Sequence, residues 1–170
     1  MTISYSNGNF LRVYRSELQA FFVISGDFKE QNKEKRIADI LTQKLKLASS
    51  FLRLLEVAHE ENEEVWHEVG DAYFLGYGVE GNLAQAALWY GSAARKGHAK
   101  GMVGLARCLE ASNDATNLID AAQWYHKAVA LGNTDALKYL ALAYNYGRGV
   151  PVDTNQANEL MQRWFSSTDR

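Results

Sequence analysis

Three residues with metal-binding side chains, His59, Glu63 and His67, follow one another at intervals of four residues. Side chains at this spacing share one face of an α-helix, and imidazole and carboxylate groups are common zinc ligands. Asn62 opposes this interpretation, because its side chain and its acidic neighbours are typical of a helix N-terminus. A helix that begins at Asn62 takes His59 out of register with the other two, so we expect no metal site.

Cys108 is the single cysteine of the chain, and a thiolate there would be a potential nucleophile. A reactive thiolate needs an exposed, electropositive environment. Cys108 instead takes the place of Ala72 and Ala143 in a repeated phrase described below, which predicts a buried, structural residue. Because a lone cysteine cannot form an intrachain disulfide and the N-terminus lacks the pattern of a signal peptide, we expect a cytoplasmic location.

The remaining signatures of catalysis and cofactor binding are weak. The segment Gly-Tyr-Gly-Val at 76–79 matches half of a dinucleotide fingerprint, but it follows a predicted helix where that fingerprint needs a strand. The chain contains no glycine-rich phosphate loop, no G-x-S-x-G and no H-E-x-x-H. The net charge of -2 gives no sign of a nucleic-acid partner, and no apolar run approaches the roughly 18 residues of a membrane span. We expect no enzymatic activity, no cofactor, no nucleic acid and no membrane partner.

Two phrases of the sequence occur twice. The segment 69–79 returns at 140–150, 71 residues later, and the segment 86–90 returns at 121–125, 35 residues later. A period of this length indicates a stacked array in which each unit is a pair of helices that cannot bury its apolar face alone. Function is then expected on the surface of the stack.

The period and the helix-end signals predict three helix pairs. The first helices are expected near 63–76, 99–111 and 134–147, and the second helices near 82–96, 117–131 and 154–166. Asn82 and Asp153 suit N-caps, and Gly97 and Gly132 suit the position just after a helix. The middle interhelical loop is one residue shorter than the others and lacks their glycines.

Residues 1–62 do not show the period. A helix from Asn9 to Gly26 is one interpretation of the first segment, and a short buried strand at 21–24 is the alternative. Apolar residues at helical spacing from Lys33 to His59 predict a long amphipathic helix, with an interruption near 49–50 left open. Its apolar stripe needs a partner surface, and we expect it to pack on the first repeat.

The pattern L/V-G/A-x-A-Y-x-x-G-x-G-V, followed by A-x-x-W-Y-x-x-A-A-x-x-G, resembles the Sel1-like repeat, a longer relative of the tetratricopeptide repeat. The resemblance covers about residues 63–166. It implies an all-α fold, a short right-handed α/α solenoid of three helix-pair repeats with an N-terminal helical extension. The expected domains are the extension at 1–62 and the solenoid at 63–170, with units of about 63–98, 99–133 and 134–166.

Residues that recur between units are expected to hold the fold together. Small residues should allow close helix contacts, aromatic residues should fill the gaps, and paired glycines should permit positive φ in the loops. The small set is Gly70, Ala106 and Ala141; the gap-filling set is Tyr73, Leu109 and Tyr144; Trp89 and Trp124 are large and are each expected to bury a large area.

Recognition is expected at positions that differ between units, on a second stripe of the first helices. The resemblance implies that this stripe lines the concave face of the array. At one offset the stripe holds His67, Val103 and Lys138. The predicted protein-binding residues are Glu64, His67, Asp71, Phe74, Lys100, Arg107, Glu110, Lys138, Leu142, Asn145 and Tyr146.

Two functions fit this prediction. The first is a non-enzymatic adaptor that binds another protein, and the alternative is a dedicated inhibitor of the immunity type that neutralises one toxin or effector. Trp164 and Phe165 would be exposed if the last helix is uncovered, which would favour a homodimer through the C-terminal end.

Overall fold

The chain forms helices throughout the part that the computed structural model describes, which is residues 28–58, 62–112 and 114–168, with side chains from residue 35 onward. No strand occurs within these ranges. The helices are α1 (Phe28–Val57), α2 (Glu63–Leu75), α3 (Leu83–Arg95), α4 (Ala99–Ala111), α5 (Ala115–Ala130), α6 (Thr134–Tyr146) and α7 (Thr154–Thr168). The all-α prediction is confirmed. The alternatives for residues 9–26 lie outside the described residues.

Side-chain caps fix the helix starts. Asn62 accepts hydrogen bonds from the backbone N–H groups of Glu64 and Val65 at 3.0 and 3.3 Å. Asn82 and Asp153 accept one each at 3.0 Å, as predicted. These bonds satisfy N–H groups that have no partner inside the helix.

The middle interhelical loop contains no glycine, unlike the other two loops. Asp114 caps α5 by accepting from Thr116 and Asn117, so the helix begins at Ala115, two residues before the predicted start. The outer loops use glycine instead. Gly149 has φ +72°, and a Cβ there would collide with the backbone carbonyl of Leu118, so no other residue fits without a backbone shift.

The α1 helix runs without a break through Ser49 and Ser50, whose hydroxyls donate back to the carbonyls of Leu45 and Lys46. The chain forms two compact units, residues 1–50 and 51–170. Within the second unit, residues 51–58 pack on α2.

This packing uses both apolar and polar contacts. Phe51 meets Tyr73 edge to face with centroids 5.3 Å apart, and the Trp66 indole N–H donates to the Ala58 carbonyl at 2.9 Å. The predicted packing on the first repeat is confirmed for these residues. The domain boundary at 62/63 stays a prediction.

The repeats pack sequentially, each helix from α2 to α7 contacting the next, and α2 also contacts α4. Tyr90 and Tyr125 are the largest fully buried side chains. The Tyr90 ring lies where α2 and α4 carry Gly70 and Gly104, since a Cβ at either glycine would come within 2.5 Å of it. Trp89 and Trp124, which were expected to bury large areas, are only half-buried. Each precedes the fully buried tyrosine by one residue and so points in a different direction from its helix.

Candidate functional site

Side chains of the three first helices form a connected series of contacts, here called the first-helix patch. It contains eight of the predicted binding residues together with His98, Tyr90, Tyr125, Tyr139 and Trp164. The eight are Glu64, His67, Asp71, Phe74, Lys100, Arg107, Glu110 and Lys138. The contacts run from α2 across α4 to α6, so the patch joins all three repeats.

One end of the patch is an ion-pair group that links α2 to α4. The Glu64 carboxylate accepts from Lys100 Nζ at 3.1 Å and from His98 Nε2 at 2.9 Å. These hydrogen bonds, first from Lys100 and then from His98, lower the pKa of Glu64. The Glu64 and Lys100 side chains are 52% and 58% exposed, so the pair contributes little stability and mainly orients its members.

His98 has two roles in this group. Its Nδ1 accepts from the backbone N–H of Gly101 at 3.2 Å, which caps the start of α4. An accepting Nδ1 assigns the ring proton to Nε2, the atom that faces Glu64. A neutral His98 therefore completes both contacts.

His67 and Asp71 both contact the buried Tyr90. The Tyr90 hydroxyl donates to the Asp71 carboxylate, and burial together with this bond raises the pKa of Tyr90. The His67 ring lies 5.7 Å from the Tyr90 ring and 5.2 Å from that of His98. Its Nδ1 is 3.7 Å from Asp71, beyond hydrogen-bond distance, and burial lowers the pKa of His67, which favours the neutral ring.

A row of alternating cations and aromatic rings forms the rest of the patch. The Arg107 guanidinium lies 4.4 Å from the centroid of Phe74 and 5.5 Å from that of Tyr139. Lys138 Nζ continues the row at 5.7 Å from Tyr139 and 5.6 Å from Trp164. Cation–π contacts at these distances hold the long Arg107 and Lys138 side chains in place against rings from α2, α6 and α7.

The buried Tyr125 packs against this row of side chains. Its ring stacks on Tyr139 with centroids 5.5 Å apart and planes at 11°. Its hydroxyl donates to Glu110 at 2.7 Å, and burial followed by the nearby Glu110 charge raises the pKa of Tyr125. Both buried tyrosines of the array therefore donate to a carboxylate of the patch.

The patch offers binding groups rather than an arranged nucleophile and base. Cys108 is buried as predicted, and burial raises the pKa of its thiol to about 11, where the reactive thiolate is scarce at neutral pH. No group of three or more His, Cys, Asp or Glu side chains within the described ranges is placed to hold a metal ion. Also within those ranges, no helix is long and apolar enough to span a bilayer.

Three predicted residues lie apart from the patch contacts. Leu142 is half-buried, and Asn145 and Tyr146 are exposed near the end of α6. Tyr146 instead meets Arg148 at 5.6 Å. The assignment of Val103 to the same stripe is wrong, since Val103 is buried in the core cluster of the second and third repeats.

Sequence reasoning missed Tyr139, His98 and the two buried tyrosines as parts of this surface. Tyr139 occupies the position that holds Glu68 in the first repeat and Gly104 in the second. That offset also differs between units, so the criterion used for the predicted stripe would have indicated Tyr139 had it been applied there.

Comparison with known proteins places this geometry in a family. The Sel1 repeat model matches residues 67–98, 99–133 and 134–168. The chain belongs to the Sel1 repeat family. Sel1 repeats are generally protein–protein interaction scaffolds, and the fold is typically non-enzymatic. The predicted resemblance is therefore confirmed.

Two solved structures share the helical repeat fold. A protective antigen of uropathogenic Escherichia coli strains that displays an SLR fold matches with a TM-score of 0.66 and 25% identity, over 71% of this chain and 26% of that one. A Sel1 repeat protein from Oxalobacter formigenes matches with a TM-score of 0.60 and 25% identity, over 67% and 88%. The chain thus spans about a quarter of the first relative's length. No curated protein matches.

Proposed function

We propose that this chain is a non-enzymatic adaptor that binds another protein through the first-helix patch. The observation that carries the proposal is the continuous contact of charged and aromatic side chains from three repeats on one surface. The Sel1 repeat family, whose members bind other proteins, supports it.

The composition of the patch supports a binding role. Arginine and aromatic side chains supply most of the binding energy at protein interfaces, particularly where they are held rigid before the partner arrives. Arg107, Tyr139 and Phe74 are held in this way by mutual contacts on helices. Side chains on rigid helices keep their geometry better than side chains on loops.

The test begins with capture of partners from the native cell by the tagged protein, followed by titration of the purified partner. The double variant Lys100→Glu/Lys138→Glu is expected to weaken binding roughly tenfold or more, because it reverses two charges of the patch. The matched control is Lys127→Glu/Arg163→Glu, which makes the same charge change on the second helices. Equal losses in the two double variants would contradict the proposed site.

The same experiment distinguishes the adaptor from the immunity-type inhibitor. Several partners with micromolar dissociation constants favour the adaptor, because exchange among partners requires fast release. A single partner with a nanomolar dissociation constant favours the inhibitor. The cytoplasmic location is also part of the proposal, and the lone Cys108, buried as a free thiol, supports it.

A homodimer through the C-terminal end is a secondary proposal. Phe165 on α7 is 55% exposed, and Trp164 is half-buried beside it. A second copy of the chain that packs on this face of α7 would cover these side chains. Sedimentation of the wild type and of Phe165→Ser at several concentrations tests it; a concentration-independent monomer for the wild type would exclude it.

A further inference from the structure

The Arg107 guanidinium contacts two aromatic rings. Its Cζ lies 4.4 Å from the centroid of Phe74, in the repeat before it, and 5.5 Å from that of Tyr139, in the repeat after it. A guanidinium that meets aromatic rings in this way keeps N–H groups for hydrogen bonds.

The N–H edge of Arg107 has no acceptor among the described residues, either as a hydrogen bond or as an ion pair. Two carboxylates of the patch accept from buried tyrosines instead, Asp71 from Tyr90 and Glu110 from Tyr125. A guanidinium carries five N–H donors, and a half-buried one needs water or a ligand to satisfy them.

We propose that Arg107 is the anchor for a carboxylate on an acidic segment of the partner protein, an Asp or Glu side chain bound through the N–H edge. The inference rests on the proposed function and names the chemistry of the partner. The planar N–H fork matches a carboxylate in two parallel hydrogen bonds. The flanking rings hold the fork in one orientation before the partner arrives, so little side-chain entropy is lost on binding.

The surrounding charges favour a carboxylate over a phosphate polyanion. Asp71 and Glu110 are bound to the tyrosines that touch the rings beside Arg107, Tyr90 against Phe74 and Tyr125 against Tyr139. Both carboxylates would repel a doubly charged phosphate more strongly than a singly charged carboxylate, and phosphate backbones are bound by several cations together. The overall charge of -2 also gives no long-range attraction for a polyanion.

The experiment titrates the full chain with three fluorescein-labelled probes. They are a C-terminally amidated peptide of alternating Glu and Leu, the same peptide with Gln in place of Glu, and a uridine oligonucleotide. The acidic peptide is expected to bind about tenfold or more tightly than the glutamine peptide, because only the acidic one supplies carboxylates. No saturable binding of the acidic peptide, or equal binding of all three probes, would overturn the proposal.

Two further measurements assign the binding to Arg107. Arg107→Lys is expected to weaken the acidic peptide about tenfold, because lysine keeps the charge and loses the fork. Arg148→Lys is the matched control, since Arg148 also stacks on a tyrosine at 5.6 Å and lies outside the patch. The second measurement uses the wild-type protein, so no mutation can disturb the fold. Its Arg107 side-chain Nε–Hε NMR signal is expected to shift with the acidic peptide and not with the glutamine peptide. An unchanged signal, or equal effects of the two lysine variants, would overturn the assignment.

The outcomes separate this inference from the proposed function. A captured partner that loses affinity with Lys100→Glu/Lys138→Glu and keeps it with Arg107→Lys would leave the adaptor role intact and overturn the carboxylate anchor. An acidic peptide that binds at Arg107, with no captured partner dependent on the patch, would support the anchor and contradict the adaptor.

Discussion

Each of the two junctions between repeats contains a buried tyrosine at the equivalent position, and the surroundings of the two rings differ. At the first junction Tyr90 is accommodated by Gly70 on one side and Gly104 on the other, and neither position has room for a Cβ. At the second junction the equivalent positions are Ala106 and Tyr139. There Tyr125 stacks face to face on the Tyr139 ring.

The hydroxyl acceptors differ as well. Tyr90 donates to Asp71, which follows Gly70 directly, while Tyr125 donates to Glu110, four residues beyond Ala106. The two acceptor positions differ by about one helical turn. The repeat thus preserves the buried ring and its carboxylate acceptor, and varies the position of that acceptor and the residues that face the ring from the two first helices. The second arrangement is the one that places Tyr139 against Arg107.

The largest expected effect distinguishes buried from half-buried rings. Tyr90→Ala and Tyr125→Ala should each lower the free energy of unfolding by about 3–5 kcal/mol, as large aromatic truncations in cores do. Tyr144→Ala should cost clearly less, since that ring is half-buried and its hydroxyl meets an exposed His126 at 3.1 Å. Urea denaturation measures all three. Equal losses at Tyr90 and Tyr144 would contradict the placement of the buried tyrosines.

The glycine side of the first junction gives the next effect. Gly104→Ala should destabilise by about 1–3 kcal/mol, because its Cβ would lie 2.5 Å from the Tyr90 ring. Gly91→Ala is the matched control within a neighbouring helix. Its Cβ meets only the flexible end of Arg95 at 3.3 Å, so it should stabilise by roughly 0.5–1 kcal/mol. A Gly104→Ala protein as stable as the wild type would show that the ring can move aside.

The stacked arginine gives a smaller effect. A double-mutant cycle with Phe74→Leu and Arg107→Gln should give a coupling of about 0.5–1 kcal/mol in unfolding free energy, as for a partly exposed cation–π pair. The same cycle at Tyr146 and Arg148, with rings and cation 5.6 Å apart and Tyr146 64% exposed, should give less. A coupling near zero at Arg107 would mean that the guanidinium is not held in advance.

The smallest effect is a pH dependence of the first junction. Burial lowers the pKa of His67 below 6.5, although Asp71 acts in the opposite direction. The unfolded chain then binds more protons, so the contribution of His67 is complete above pH 6.5 and is lost as the pH falls through the lowered value. His67→Gln should flatten the decline in stability between about pH 7 and about pH 5 relative to the wild type. Parallel curves for His67→Gln and the wild type would exclude this group.

The sequence predicted the bounds of the six repeat helices to within one or two residues, because caps such as Asn82 and glycines such as Gly97 act locally. The start of α1 at Phe28 lies ahead of the predicted Lys33, because that prediction rested on apolar spacing and not on a cap. The start of α5 was misplaced because Asp114 caps it in a loop unlike the other two. Whether Tyr90 or Trp89 is the more buried side chain depends on how their helix is rotated about its axis against its neighbours. The spacing of residues in the sequence does not give that rotation.

The patch was predicted in outline and not in its connections. Arg107 and Phe74 were selected because recognition was expected at positions that differ between units. It gave no sign that they stack, since a contact between two repeats depends on the angle and distance of both helices. Tyr139 was missed for the same reason.

Amide hydrogen exchange of the full chain, with and without a captured partner, tests the binding face most directly. We predict slower exchange in peptides from Glu63–Leu75, Ala99–Ala111 and the start of Thr134–Tyr146, with the second helices unchanged. Protection confined to Phe28–Val57 or Thr154–Thr168 would contradict this prediction.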